Sequence, residues 1–470
     1  MDYKKLGFKA GLEIHQQLEG TKLFCSCPTI IRKDEPDFKI KRVLRASAGE
    51  SGNVDKAAMH ELEKSKEFEY LGYYDTTCHV ETDDEPPGEL NVSALNKTLK
   101  LAKLMNMKVV DEIQFMRKTV IDGSNTSGFQ RTALIGVDGF IEVNGKKFGI
   151  ESICLEEEAC QVVKRTKTKD IYNLSRLGIP LIEIATAPDM SSPEECKDVA
   201  AYIGMLLRSI EGIKRGIGSI RQDVNVSIAN GARIEVKGFQ DFKNIPKVVE
   251  FEVKRQLDLI ENKKRVQSEV RKAEPDFTTS FLRPMPGADR MYPETDIETI
   301  KPNLDEVEVP LTLEDKQKVY KKKYDLSDDL ATQVVKYESK NDSLKKYFDM
   351  ATKDLTPTTI ADIILMKIPD TEKKEGELKY LDLDELFENL KTGKITVSAV
   401  PEILSISTKK KVDYNSFKAL DENEIKSIVK KIIGENKGAP MGALMGKSMA
   451  ALKGKADGKL VSKLVRELLK

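Results

Sequence analysis

The sequence predicts an α+β protein, an antiparallel-sheet domain followed by an all-helical domain and a helical tail. Three observations carry this. Apolar and polar residues alternate with period two in short stretches across residues 1–300. Beyond residue 310 the apolar spacing changes to three and four. Between the two regimes the proline-flanked acidic stretch PNLDEVEVP, Pro302 to Pro310, has neither period and marks a boundary.

Taken in order, strands are expected at Phe8 to Leu18, Glu151 to Leu155, Pro180 to Ala185, Ser219 to Ile228 and Arg233 to Val236. Asn91 to Met107 is a helix with Leu95, Leu99, Ala102 and Met105 on one face. A second helix opens at Ser192, with Pro193 at its first position and Glu195 completing an S-x-x-E capping box. Lys247 to Glu261 is a third. Past the boundary, Leu313 to Tyr324, Asp328 to Lys345, Thr356 to Leu365 and Asp382 to Leu390 read as helices. A second boundary near Pro401 leaves Asp421 to Lys470 as small basic helices broken by glycines. The domains expected are therefore 1–300, 301–400 and 401–470.

Composition narrows the function classes. The 470 residues are 40% apolar and 33% charged, the balance of a folded globular chain. No run of about 18 apolar residues offers a membrane span, and the N-terminus has no secretory apolar core, so a cytoplasmic location is expected. Six scattered cysteines are too few for a disulfide scaffold. The 77 basic and 77 acidic residues cancel, yet Lys431 to Lys470 holds nine Lys or Arg against three acids, so a basic tail follows an acidic body.

Alternation sends Glu13 and His15 to the side opposite Leu12 and Ile14, and Glu183 opposite Ile182 and Ile184. Arg221, Asp223, Asn225 and Ser227 oppose Ile220, Val224, Val226 and Ile228, while Glu235 and Lys237 oppose Ile234 and Val236. CLEEEAC adds Glu156, Glu157 and Glu158. Singly, each acid fits the solvated face of an antiparallel sheet. Together on one face they need a cation, and clustered carboxylates suit Mg²⁺, with three roles open to His15: binding through water, selecting a softer metal such as Mn²⁺, or only orienting a carboxylate.

Three other patterns compete with bland readings. Cys25 and Cys27, with Cys78 and His79 downstream, could make a zinc site, but no second close pair follows and buried or idle thiols fit better. GALMGKS, Gly442 to Ser448, has one residue too few for a phosphate-binding loop and no preceding strand. Arg117, Lys118 and Arg131 flank a turn-rich segment that suits either a triphosphate or RNA end, or an ordinary hairpin with charged ends.

The sequence resembles the GatB/GatE family of tRNA-dependent amidotransferase subunits, in its archaeal, GatE-type branch. The resemblance rests on GLEIHQQL (from Gly11), LFCSCP (Leu23), ETDDEPPGELN (Glu81), RKTVIDGSNTSGFQRT (Arg117), CLEEEAC (Cys154), YNLSRLGIPLIEIATAPDM (Tyr172), GSIRQDVNVSI (Gly218) and RMYPETDI (Arg290). Near the end KGAPMGALMGKSM resembles a YqeY-like tail. It implies a cradle-shaped catalytic domain that uses ATP and Mg²⁺ to phosphorylate the γ-carboxylate of glutamate mischarged onto tRNA(Gln). Ammonia from an asparaginase-like, GatD-type partner then gives glutaminyl-tRNA(Gln). A bacterial-type GatB fed by an amidase-type glutaminase and an inactive tRNA-binding scaffold are the alternatives. Carried over by motif, Glu13, His15, Glu157 and Glu183 are metal ligands, and Glu157, Asp223 and Lys237 act in catalysis. Arg117, Lys118 and Gln130 face ATP or the aminoacyl end, and the basic tail grips tRNA through phosphates. The sequence departs from the family pattern in three places. The chain runs from Glu261 to RMYPETDI without room for the inserted domain of archaeal relatives, and Glu158 and Gln161 stand where relatives have Asp and a basic residue.

Overall fold

A computed structural model describes all residues except 45–51, 53–65, 240, 286–290, 339–343, 437, 453 and 470. Arg290 at the head of RMYPETDI, the middle of the helix expected over Asp328 to Lys345, and the tail residues Lys437, Lys453 and Lys470 lie outside the described residues. The chain forms two compact units, Met1–Thr312 and Leu313–Lys470, and the α+β class is borne out.

The first unit is built on strands β1 (Lys9–Gln17), β2 (Phe38–Arg42), β3 (Glu67–Gly72), β4 (Lys108–Val109), β5 (Phe115–Thr119), β6 (Phe129–Val143), β7 (Lys146–Glu157) and β8 (Gln161–Arg165). It continues with β9 (Lys169–Asn173), β10 (Pro180–Thr186), β11 (Ile220–Ser227), β12 (Ile234–Phe239), β13 (Glu269–Ala273), β14 (Thr279–Pro284) and β15 (Met291–Pro293). Eleven strands make one sheet, in the order β14-β13-β12-β11-β1-β10-β7-β6-β5-β15 with β4 beside β6. Among its described pairings, only β12 with β13 is parallel. β2, β3, β9 and β8 make a smaller sheet.

Leu12, Ile14, Ile153, Leu155, Ile182, Ile184, Val224 and Val226 point to one face of the large sheet and are at most 1% exposed. Helices α1 (Val92–Leu104), α2 (Pro193–Arg208) and α3 (Ile245–Glu261) close that core with Leu95, Leu99, Val199, Ile203, Leu206 and Val249. The opposite face is left to the polar members of the same strands. Asn91 caps α1, its side chain accepting from the Ala94 N–H at 3.0 Å. Ser192 caps α2 in the same way, from the Glu195 N–H at 3.2 Å. The expected capping box is only half made, because the Glu195 carboxylate accepts from the Ser191 N–H at 2.7 Å instead. The strand expected at Glu151 to Leu155 is part of the long β6–β7 hairpin, turned at Asn144 and Gly145, both at positive φ (52° and 75°).

The second unit is helical: α4 (Leu313–Tyr324), α5 (Asp328–Glu338), α6 (Lys345–Phe348), α7 (Pro357–Asp362), α8 (Ile368–Glu375), α9 (Leu383–Lys391), α10 (Val400–Ser407), α11 (Glu422–Glu435), α12 (Met441–Leu452) and α13 (Gly458–Leu468). The helix expected over Thr356 to Leu365 runs on through a wide π turn at Ile363–Lys367. Pro369 explains it, since proline donates no N–H and its ring crowds the carbonyl one turn back. Two apolar cores form here, one from Tyr320 to Phe417 and one from Ile425 to Val465. Among the described residues no helix is long and apolar enough to cross a membrane.

Candidate functional site: a carboxylate cradle

Antiparallel register assembles the site. On the polar face His15 of β1 stands opposite Glu183 of β10 and Arg221 of β11, and Glu13 stands opposite Asp223. Lys118 of β5 stands opposite Gln130 of β6. These residues, with Glu156 and Lys237, line one cavity of about 490 Å³.

His15 Nε2 lies 3.1 Å from Glu183 Oε2 and 3.4 Å from Glu13 Oε1, while its Nδ1 is buried without a hydrogen-bond partner among the described residues. Lys118 Nζ bonds Glu156 at 2.9 Å and reaches Glu183 at 3.5 Å. Gln130 donates to Glu156 at 3.2 Å and to the Glu157 carbonyl at 2.7 Å. Lys237 bonds Asp223 at 2.7 Å and also pairs with Glu235. Ligand atoms of Glu13, His15 and Asp223 lie within 4.8 Å of one another, as do those of His15, Glu156 and Glu183.

The electrostatics are those of a pocket in which carboxylates and cations interleave, seven acids with six Lys or Arg and His15 along its wall. Burial, and then the neighbouring Glu183, push the Glu13 carboxyl up, against the pull of Lys237. Burial would raise Glu183 too, but Lys118 and His15 hold it well below the usual carboxylate range. Burial would lower His15, yet the hydrogen bond and charge of Glu183, with Glu13, lift it. Glu13, Glu156, Glu183, Asp223 and Glu235 pair with Lys118, Lys237 and His15, so within this group negative charge exceeds positive even with the imidazole protonated. Carboxylate oxygens with one imidazole make a donor set that fits a hard divalent cation.

The structure does not bring every expected residue here. Glu157 sits on the opposite face of β7, 6% exposed, where Arg131 Nη1 approaches its carboxylate at 3.4 Å. The reason is the pleat: with Leu155 in the core, Glu156 takes the cradle side and Glu157 the core side. Arg117 is also turned away, bonding Asp296 at 3.0 Å and the buried Glu294. Arg131 Nε bonds the other oxygen of Glu294 at 2.8 Å, so Arg117, Arg131, Glu157 and Glu294 form one charge network behind the cradle. Glu158 is buried, accepting from Gln17 at 2.9 Å and Arg221 at 3.0 Å. Glu294 lies within RMYPETDI but has no role assigned from the sequence, Arg283 lies outside every motif, and only strand alternation selects Glu156 over Glu157.

A second cluster lies apart from the cradle. Cys25, Cys27 and Cys78 converge with Glu81, their ligand atoms within 4.8 Å of one another. Glu81 accepts from Cys25 Sγ at 3.0 Å and the Cys78 N–H at 2.8 Å, and takes the place that the sequence pattern suggests for His79.

The fold and cradle define a two-unit α+β enzyme with a metal-fitting carboxylate site. Residues 8–308 match the GatB/GatE catalytic domain and residues 345–469 a GatB domain of the YqeY type, so the chain belongs to the GatB/GatE family and is a ligase of amidotransferase type. It is 36% identical to the glutamyl-tRNA(Gln) amidotransferase E subunit of Methanococcus maripaludis over 585 positions, covering 93% of this chain and 92% of the relative. The same-named protein of Methanocaldococcus jannaschii is 36% identical over 589 positions, covering 93% of each chain. That of Archaeoglobus fulgidus is 56% identical over 262 positions, 55% of this chain and 43% of the relative. Since 93% of 470 residues is about 437, some 148 positions of the 585-position alignment have no counterpart here. That agrees with the absence of an inserted domain.

Proposed function

We propose that this chain is the subunit of a tRNA-dependent amidotransferase that converts glutamyl-tRNA(Gln) to glutaminyl-tRNA(Gln) in the cytoplasm. The observation that supports it best is the cradle itself, in which Glu13, Glu156, Glu183 and Asp223 converge around His15 in one open cavity. Glu13, His15, Glu156 and Glu183 would hold a divalent cation, Mg²⁺ or Mn²⁺, with Asp223 beside them. When bound, the cation supplies positive charge that screens the phosphoryl group of ATP from the attacking carboxylate.

The chain's own groups do the rest. Lys118 and Lys237 bring fixed positive charge to the cavity wall beside Glu156 and Asp223. The glutamyl γ-carboxylate oxygen attacks the γ-phosphorus of ATP and ADP leaves with the bridging oxygen. Ammonia then forms the C–N bond at the carbonyl carbon of the acyl phosphate, Cδ of the glutamyl side chain, phosphate departs and a cradle carboxylate takes the surplus proton. The basic tail would hold the tRNA body, and an asparaginase-like, GatD-type partner would supply the ammonia.

The test is to give the purified chain glutamyl-tRNA(Gln), ATP, MgCl₂ and ammonium chloride, and separate glutaminyl- from glutamyl-tRNA. Product is expected without any partner. No product under any metal or salt condition would favour an inactive scaffold, and co-purification with an amidase-type glutaminase would favour the bacterial-type assembly.

A further inference from the structure

Six cations line the cradle cavity: Lys66, Lys118, Arg165, Arg221, Lys237 and Arg283. Four are committed to carboxylates: Lys66 to Asp170 at 3.0 Å, Lys118 to Glu156 at 2.9 Å, Arg221 to Glu158 at 3.0 Å and Lys237 to Asp223 at 2.7 Å. Arg165 is exposed and stands opposite Asp170 on β9. Arg283, on the edge strand β14, is different: its guanidinium has no ion-pair partner among the described residues, and its Nε is buried and unbonded. A guanidinium half withdrawn from water with an orphaned N–H is costly to leave alone. Its fork matches phosphate oxygens two at a time.

We propose that Arg283 is a phosphate-binding residue of this cavity and that its ligand is the polyphosphate chain of the nucleotide. This rests on the ATP-dependent reading above and assigns where the nucleotide's charge is held. The cavity has two poles, a carboxylate group that calls for a cation and an unpaired guanidinium that calls for an anion. A triphosphate satisfies both at once: the carboxylates would hold the cation that accompanies it, and Arg283 would grip its oxygens. A single phosphodiester of an RNA end carries one charge and answers only one pole. Leu282, 41% exposed and lining the same wall, offers an apolar surface beside that grip. Arg117, expected from the sequence to serve the nucleotide, is closed off by Glu294 and Asp296 and leaves the task to Arg283.

The experiment measures binding, with the full-length chain, of Mg-ATP, of tripolyphosphate and of glutamyl-tRNA(Gln) to wild type, Arg283→Met and Arg283→Lys. Arg283→Met is expected to weaken Mg-ATP and tripolyphosphate by about tenfold or more, with Arg283→Lys recovering part of the loss. Affinity for tRNA should stay within about twofold, and unchanged thermal melting would exclude misfolding as the cause. ATP affinity unchanged in Arg283→Met, whatever happens to tRNA, would overturn the assignment to Arg283. A wild-type chain that binds no ATP would instead overturn the functional reading beneath it.

Discussion

Replacing Glu156 and Glu157 in turn by glutamine separates the two faces of β7. Glu157→Gln removes a charge 3.4 Å from Arg131, but Arg131 keeps Glu294 at 2.8 Å and its stacking on Phe129 at 5.2 Å. Removing one partner of a buried pair outright costs about 3–5 kcal/mol. With Glu294 retained and an amide oxygen still in place, roughly 1–2 kcal/mol is expected. Glu156→Gln leaves Lys118 with Glu183 at 3.5 Å and with an amide oxygen of its own, so stability should move by less than about 1 kcal/mol. Its effect should fall on chemistry, since one preorganised electrostatic group is worth about 10²–10³ in kcat. The assay is ammonium-driven glutaminyl-tRNA formation, with urea unfolding alongside. Glu156→Gln should be stable and about a hundredfold or more slower, and Glu157→Gln less stable and active within about threefold. An inactive Glu157→Gln beside a fully active Glu156→Gln would refute the face assignment.

Three further predictions follow from separate parts of the molecule. Burial would raise Glu294, but Arg117, the Asp296 N–H and Arg131 hold it at about 2. A folded-state pKa depressed in this way adds stability that is present above the unfolded value and lost as pH falls through the folded one. Urea unfolding should therefore weaken by about 3 kcal/mol between roughly pH 4.5 and 2, and Glu294→Gln should flatten that loss; an identical acid profile in the variant would contradict the network. At the thiol group, elemental analysis is expected to find one zinc per chain, lost in Cys25→Ser and Cys78→Ser, whereas zinc-free active protein would mean idle thiols. Because Ile425 to Val465 form their own core, deleting 421–470 should leave the remainder folded, weaken tRNA binding and flatten its salt dependence while sparing ATP; unchanged tRNA affinity would remove the tail from the interface.

The strands that build the cradle are legible in the sequence because alternation puts Leu12 and Ile14, Ile182 and Ile184, and Val224 and Val226 on one face of GLEIHQQ, PLIEIAT and IRQDVNVS. Which acids meet is not, because His15 and Glu183 become neighbours only through a pairing between strands far apart in the chain. Glu156 is within reach, since counting from Leu155 selects it, but motif matching points one residue further. The smaller sheet escapes notice because its strands are five or six residues long and interrupted by charged residues, as in KDIYN and FKIKR. The C-x-C is visible, yet its carboxylate partner Glu81 comes from a distant turn. Arg283 gives no sequence signal, because what distinguishes it is the absence of a partner in three dimensions among the described residues.

The central claim, that the carboxylate cradle carries out phosphoryl transfer to the glutamyl group, is tested most directly by withholding ammonia. With γ-labelled ATP, MgCl₂ and glutamyl-tRNA(Gln), the wild-type chain should form ADP only when the aminoacyl-tRNA is present, and Glu183→Gln should form it about a hundredfold more slowly. ADP formation by Glu183→Gln at the wild-type rate would place the chemistry elsewhere.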